Sequence, residues 1–252
     1  MSRSRSYPQR DLNLLFARSA GLCAFPGCRT LCIADATELD REAIFGEIAH
    51  IVAHGDRGPR CDPSFPDELR DRYDNLILLC ANHHTIVDAQ DSTYTKEDLR
   101  SWKADLEAWK VRRLGSEMPS VGFAELQVVC DALLAAPAPE TTDLSLTIPI
   151  EKMNRNRLTD HSQFLITVGL AKAKEVQQFV EGFAALNPVF PGRLKAGFTQ
   201  EYNRLVEQGE RGDDLFDLLV EFASRGASEP RQQAAGLAVL TYLFEKCEVF
   251  ER

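Results

Sequence analysis

Seven cysteines and five histidines are the side chains of this 252-residue sequence best suited to hold a metal or move a proton, and most of them fall between residues 23 and 84. Cys23 and Cys28 stand in CAFPGC, a C-x4-C pair whose Pro26-Gly27 turn brings the two thiols together. Fifty-one residues further on, Cys80 and His83 form a C-x2-H pair. Two short chelating pairs, each approaching one ion from one side, are what a closed tetrahedral zinc site requires. Cys32 is close enough to compete as a ligand but ranks below Cys28, which shares the Pro-Gly turn with Cys23. Between the pairs lies EIAHI, with His50, and just after them His84 and Asp88 stand four residues apart. On a helix that spacing sets two ligands on one face, where they can share an ion. Cys61, Cys130 and Cys247 have no partner at ligand spacing and read as buried thiols; His161 stands outside every cluster and reads as a surface or packing residue.

These residues need a frame. A short strand over Glu47–Ile51, a second over the LILL run, and a helix starting near His83 give the order strand, loop, strand, helix. Ahead of them residues 11–20 read as a helix with Leu12, Leu15 and Phe16 on one stripe, ended by Gly21. Behind them residues 94–114 read as the clearest helix of this half. Thr95 and Asp98 make a T-x-x-D capping box, and Leu99, Trp102, Leu106 and Trp109 recur every three or four residues. This helix is expected to cover the cysteine-rich stretch.

Residues 115–122 (GSEMPSVG) read as a linker, dividing the chain into units 1–114 and 123–252. The second unit reads as mainly α-helical. FAELQVVCDALL is a helix, APAPETTD a loop and LSLTIPI a strand-like run, followed by helices near 162–186, 191–208, 213–225 and 229–248. The last is apolar almost all round, as suits burial in a bundle or at a subunit contact. The fold class expected is α+β.

The chain carries a formal net charge of −9, which taken whole argues against a nucleic-acid partner. Divided at Gly115 the argument weakens: the first part is close to neutral, with 16 basic and 18 acidic residues, and the remainder holds 13 and 20. Basic clusters at Arg3, Arg5 and Arg10 and at Lys110, Arg112 and Arg113 leave patches able to meet phosphates. No apolar run approaches the roughly 20 residues of a membrane span. The N-terminal segment makes a poor signal peptide, and an odd cysteine count suits a reducing, cytoplasmic setting.

Taken together, Cys23, Cys28, the EIAHI with His50, the DNL with Asn75, and the LCANHH with Cys80, His83 and His84 resemble the HNH nucleases, also called His-Me finger or ββα-metal nucleases. The resemblance covers about residues 22–110 and implies a zinc-stabilised ββα-metal domain that hydrolyses phosphodiester bonds of double-stranded DNA. It makes His50 the general base, Asn75 the residue that holds His50 in place, and His84 a ligand of a catalytic Mg²⁺ or Mn²⁺ together with Asp88. Structural Zn²⁺ would sit on Cys23, Cys28, Cys80 and His83. Many members carry Asp or His directly before the base, where this chain has Ala49. Either His84, Asp88 and water hold the ion, or Glu47 reaches it from the same strand face. Arg57 and Arg60, in the Gly/Pro-rich loop after the base, either hold the scissile strand through its phosphates or are solvated loop charges.

Residues 120–252 resemble the C-terminal domains of accessory proteins in ABC-three-component, Lamassu-like antiphage systems. That resemblance implies an effector docked onto an SMC-like ATPase complex, with the helical unit mediating a homo-oligomer or hetero-complex. The competing expectation is a zinc-dependent DNA-binding or scaffolding module that does not cleave.

Overall fold

The computed structural model describes residues 5–34, 39–41, 43–134, 153–154, 156–224 and 229–246. It forms two compact units, Met1–Lys110 and Val111–Arg252.

In the first unit, helix α1 (Gln9–Ser19) buries Leu14, Leu15 and Ala17 and stops where Ala20 and Gly21 turn left-handed, at φ 53° and 66°. Its Asp11 is buried and accepts the Tyr73 backbone N–H at 2.7 Å, which ties the helix to the turn ahead of the site hairpin. Strands β1 (Ile33–Ala34) and β2 (Ala43–Ile44) make a short antiparallel ladder. Strands β3 (Gly46–His50) and β4 (Leu76–Cys80) make a second, in which Gly46 opposes Cys80 and His50 opposes Leu76.

Leu76, Ile77, Leu78 and Leu79 are all buried, so β4 is covered on both faces and reads as a continuous apolar run. Gly46 is required: a Cβ there would stand 2.5 Å from Cys32 Cβ. Helix α2 (Ala81–Ala89) follows β4 with no intervening loop. The order β3, loop, β4, α2 is the strand, loop, strand, helix that the sequence pattern implies.

Helix α3 (Lys96–Glu117) starts at the expected capping box, with the Thr95 N–H donating to Asp98 Oδ2 at 2.9 Å and the Asp98 N–H to Thr95 Oγ1 at 3.2 Å. Leu99 and Leu106 are buried. Lys103 donates to the Tyr73 carbonyl and Lys110 to the Ala17 carbonyl. Of the stretch read as a linker, residues 115–117 continue this helix and Met118–Ser120 form a 3-10 turn, with Met118 and Val121 buried.

In the second unit the described helices are α4 (Phe123–Leu134), α5 (Asp160–Leu170), α6 (Ala173–Leu186), α7 (Phe190–Glu207), α8 (Gly212–Ala223) and α9 (Pro230–Lys246). The helix expected over 162–186 is two helices, interrupted at Ala171–Lys172. Helix α9 is the centre of this unit, packing against α4, α5, α6 and α8, and every residue from Ala234 to Thr241 is buried. Its all-round apolar character is therefore satisfied within the unit. Close approach is built in at Gly236, where a Cβ would stand 2.5 Å from the Ala223 carbonyl oxygen. The loop APAPETTD and the strand-like LSLTIPI lie outside the described residues. Among the described residues no helix is long and apolar enough to cross a membrane.

Candidate metal centre and active site

The Cys23–Cys28 knuckle closes because Gly27 takes φ +76°, a conformation side chains with a Cβ rarely adopt. Cys80 ends β4 and His83 lies in the first turn of α2, so the second pair is delivered by one strand-to-helix junction. The four ligating atoms of Cys23, Cys28, Cys80 and His83 lie within 4.8 Å of one another. His83 Nδ1 is 3.1 Å from Cys80 Sγ and 3.6 Å from Cys23 Sγ. Three thiols and one imidazole converging on a point fit a tetrahedral zinc site, and this cluster could hold a metal ion. Burial pushes the Cys23 thiol up to about 12, so the thiolate is out of reach near neutrality without a cation beside it. Cys32 lies outside the cluster, its Sγ directed at the Thr30 carbonyl. Phe25 stacks on the His83 ring at 3.9 Å and meets Tyr94 and Trp102 edge-on. Helix α3 thus helps cover the cysteine cluster, through Trp102.

At the other end of the hairpin, His50 closes β3 and is buried. Asn75 lies across from it: Oδ1 accepts the Val52 N–H at 2.8 Å, and Nδ2 donates to the carbonyls of Val52 and Arg70 at 2.9 and 2.8 Å. Two of these bonds clamp Val52 in the backbone that follows His50, and the third ties the amide to the Arg70 carbonyl. The His50 ring faces Asp71, its Nε2 2.8 Å from Oδ1, and His54 Nδ1 lies 2.9 Å from the same oxygen. Burial lowers the pKa of His50; Asp71 pulls it back up, while Arg5 and His54 push it down. Burial works against ionisation of Asp71, yet the Ser6 N–H and the two imidazoles outweigh it and hold the carboxyl below its usual range.

His84 lies between two carboxylates. Its Nδ1 is 2.7 Å from Glu47 Oε2, and its Nε2 is 3.6 Å from Asp88 Oδ2. Glu47 and Asp88 therefore address opposite nitrogens of the ring, so the three do not converge on one point as a ligand set. Ala49 is fully buried and puts only a methyl group at its position.

Arg60 has a left-handed backbone, φ 55°, and a side chain that is 4% exposed. Its guanidinium donates to the carbonyls of Ile51 and Val87 and bonds Asp88 Oδ1 at 2.6 Å, with a longer contact of 3.3 Å to the His50 carbonyl. The strained backbone is held by those bonds. Arg60's donors are thus spent on the protein's own acceptors. Arg57 does line the open cavity of about 680 Å³ that also takes in Arg5, His50, His54, His84 and Asp88.

Residues 23–91 match the family model described as HNH endonuclease. The matched segment runs from the first zinc-type cysteine to just beyond α2. No curated protein matches the chain. A nuclease-type domain is thus supported for this segment, while the helical second unit lies outside the match.

Sequence reasoning did not single out Asp71 or the N-terminal residues Ser6 and Tyr7. Asp71 precedes Asn75 by four residues in RDRYDN, at no spacing that links it to His50. The Ser6 N–H donates to Asp71 Oδ2 at 2.8 Å, and the Tyr7 ring stacks on His50 at 5.6 Å. Elsewhere, His161 Nε2 lies 3.0 Å from Asp217 in the helical unit, Cys61 bonds the Asp56 carbonyl, and Cys130 is buried. Cys247 is outside the described residues.

Proposed function

We propose that the first unit is a divalent-metal-dependent endonuclease domain that hydrolyses DNA phosphodiester bonds. The observation that carries this reading is that His50 and His84 both open on one cavity, each with one ring nitrogen already on a carboxylate. An imidazole so held has a defined second nitrogen, which serves as base in one case and as ligand in the other.

His50 takes a proton from water as the water oxygen bonds to phosphorus. The P–O3′ bond breaks, the 3′ oxygen leaves to be protonated by solvent, and a 5′-phosphate remains. Asn75 keeps the backbone beyond His50 in register with the Asn75 turn. His84 Nε2 and Asp88 would hold the divalent ion, since Glu47 engages Nδ1 and directs Nε2 toward Asp88. One imidazole, one carboxylate and several waters suit Mg²⁺ or Mn²⁺, which when bound supplies positive charge at the phosphate and the departing oxygen. Glu47 is then the orienting carboxylate rather than a ligand. Arg5 and Arg57, on the cavity wall, offer charge to the strand phosphates. Zinc on Cys23, Cys28, Cys80 and His83 would be structural.

In a plasmid-nicking assay with Mg²⁺ or Mn²⁺, His50→Ala is expected to lose at least about 10²-fold in rate with its zinc content unchanged. Parent-like cutting by His50→Ala would remove the base assignment. The buried methyl of Ala49 favours a second reading, a zinc-held DNA-binding module that does not cleave. DNA binding without turnover under any metal would select it. For residues 120–252, the resemblance to ABC-three-component accessory proteins supports docking of the nuclease onto a partner complex. Co-purification with neighbouring gene products tests that reading.

A further inference from the structure

We propose that Asp71 is the positioning carboxylate of the base: it holds His50 with Nε2 protonated, so that Nδ1 is the nitrogen that receives the proton from water, and His54 tempers that base by sharing the same oxygen. This rests on the nuclease reading above and adds to it a residue outside the H, N and H of the motif.

A carboxylate only accepts hydrogen bonds, so the 2.8 and 2.9 Å contacts to Asp71 Oδ1 assign a hydrogen to each facing ring nitrogen in the metal-free site. Its other oxygen is fixed by the Ser6 N–H at 2.8 Å, and the carboxylate is only 16% exposed. Asp71 is therefore set before any substrate arrives. The Tyr7 ring against His50 limits rotation of the imidazole further. Asn75 acts on the backbone beyond His50, whereas Asp71 acts on the ring; the two residues fix different degrees of freedom.

The proton count closes. Water gives one proton to Nδ1, Nε2 keeps its own, Asp71 stays ionised, and the resulting imidazolium is stabilised by the adjacent negative charge. His54 makes the same kind of bond to Oδ1, and its Nε2 is buried with no hydrogen-bond partner among the described residues, which sets it apart from His50. Its effect is to draw on charge that His50 would otherwise have to itself. The groups that face His50 are Asp71, His54, Arg5 and Tyr7, with the Arg60 guanidinium on its carbonyl.

The base acts when neutral, so the rate falls as pH falls through the His50 pKa. Asp71 favours the imidazolium and His54 opposes it; the two substitutions therefore move the acid limb of the rate profile in opposite directions. In the full-length protein, Asp71→Asn is expected to cut plasmid about 10²–10⁴-fold more slowly, with its acid limb at lower pH. His54→Phe is expected to shift the limb to higher pH. A purely structural loss would give no such pair of opposite shifts. Long-range ¹H–¹⁵N correlation of the imidazole nitrogens should find parent His50 protonated at Nε2, and this readout needs no activity. A parent His50 protonated at Nδ1 overturns the proposal, as does Asp71→Asn cutting within threefold of the parent, or both limbs moving the same way. If the parent cuts no DNA, the nuclease reading fails and the tautomer alone decides the role of Asp71.

Discussion

His50 and His84 are held alike: each has one nitrogen on a carboxylate, Asp71 at 2.8 Å and Glu47 at 2.7 Å. On the proposed reading the carboxylate decides which nitrogen is left for function, and Glu47 orients His84 toward the ion; carboxylates that orient a ligating histidine commonly contribute about 10–100-fold to metal affinity. Glu47→Gln is accordingly expected to raise the Mn²⁺ concentration needed for half-maximal cleavage by about 10-fold or more, with the zinc content unchanged. An unchanged Mn²⁺ requirement would return Glu47 to the surface. At this scale the sequence was legible where spacing is local. The C-x4-C and C-x2-H pairs and the i, i+4 pair His84–Asp88 are short-range patterns, and the structure brings the atoms of the first two pairs to one point. Asp71 was not legible because its partner His50 is 21 residues away and Ser6 is 65 residues away. Arg60 was equally hidden: its charge in a Gly/Pro loop suggests a phosphate contact or solvent, and only the fold shows it turned inward onto Asp88.

Among the elements, the strand-to-helix junction at Cys80 carries the most. It ends β4, supplies two of the four zinc-type ligands and starts the helix that presents His84 and Asp88. Ligand binding and folding are coupled at such sites, because the unfolded chain does not gather the donors. Cys80→Ser is expected to give protein with less than stoichiometric zinc and a markedly lower melting temperature. Stoichiometric zinc in that variant would refute the four-ligand assignment. Helix existence and order were legible from periodicity, down to the Thr95–Asp98 box. The break at Ala171–Lys172 was not, since apolar spacing continues through it and no proline or glycine pair marks it. The strand-like LSLTIPI falls among residues not described.

For the whole molecule, the compact units themselves are about equally acidic, with 14 basic and 18 acidic side chains in residues 1–110 and 15 and 20 in residues 111–252. The asymmetry about Gly115 comes from Arg112 and Arg113, just past the boundary between the units. The acidic excess belongs mostly to the sequence after Gly115, while Arg5 and Arg57 line the cavity of the first unit. Long-range repulsion of DNA by an acidic unit is a low-salt effect that fades beyond a Debye length of about 8 Å at physiological ionic strength. A chain ending at residue 122 is therefore expected to bind plasmid DNA more tightly than the full chain at low salt, with the difference shrinking as salt rises. Equal affinity at low salt would rule out a screening role for the acidic unit. The hairpin has a consequence of a different kind. Gly46 opposes Cys80 at one end of the β3–β4 ladder, and His50 opposes Leu76 at the other. A slip of one residue turns every side chain of a strand to the opposite face, so it would scatter the Cys/His cluster and displace His50 in the same event. The two ends of the hairpin are thereby set by one register. A single register error would therefore dismantle the Cys/His cluster and the His50–Asp71 contact together, so that the two fail as one.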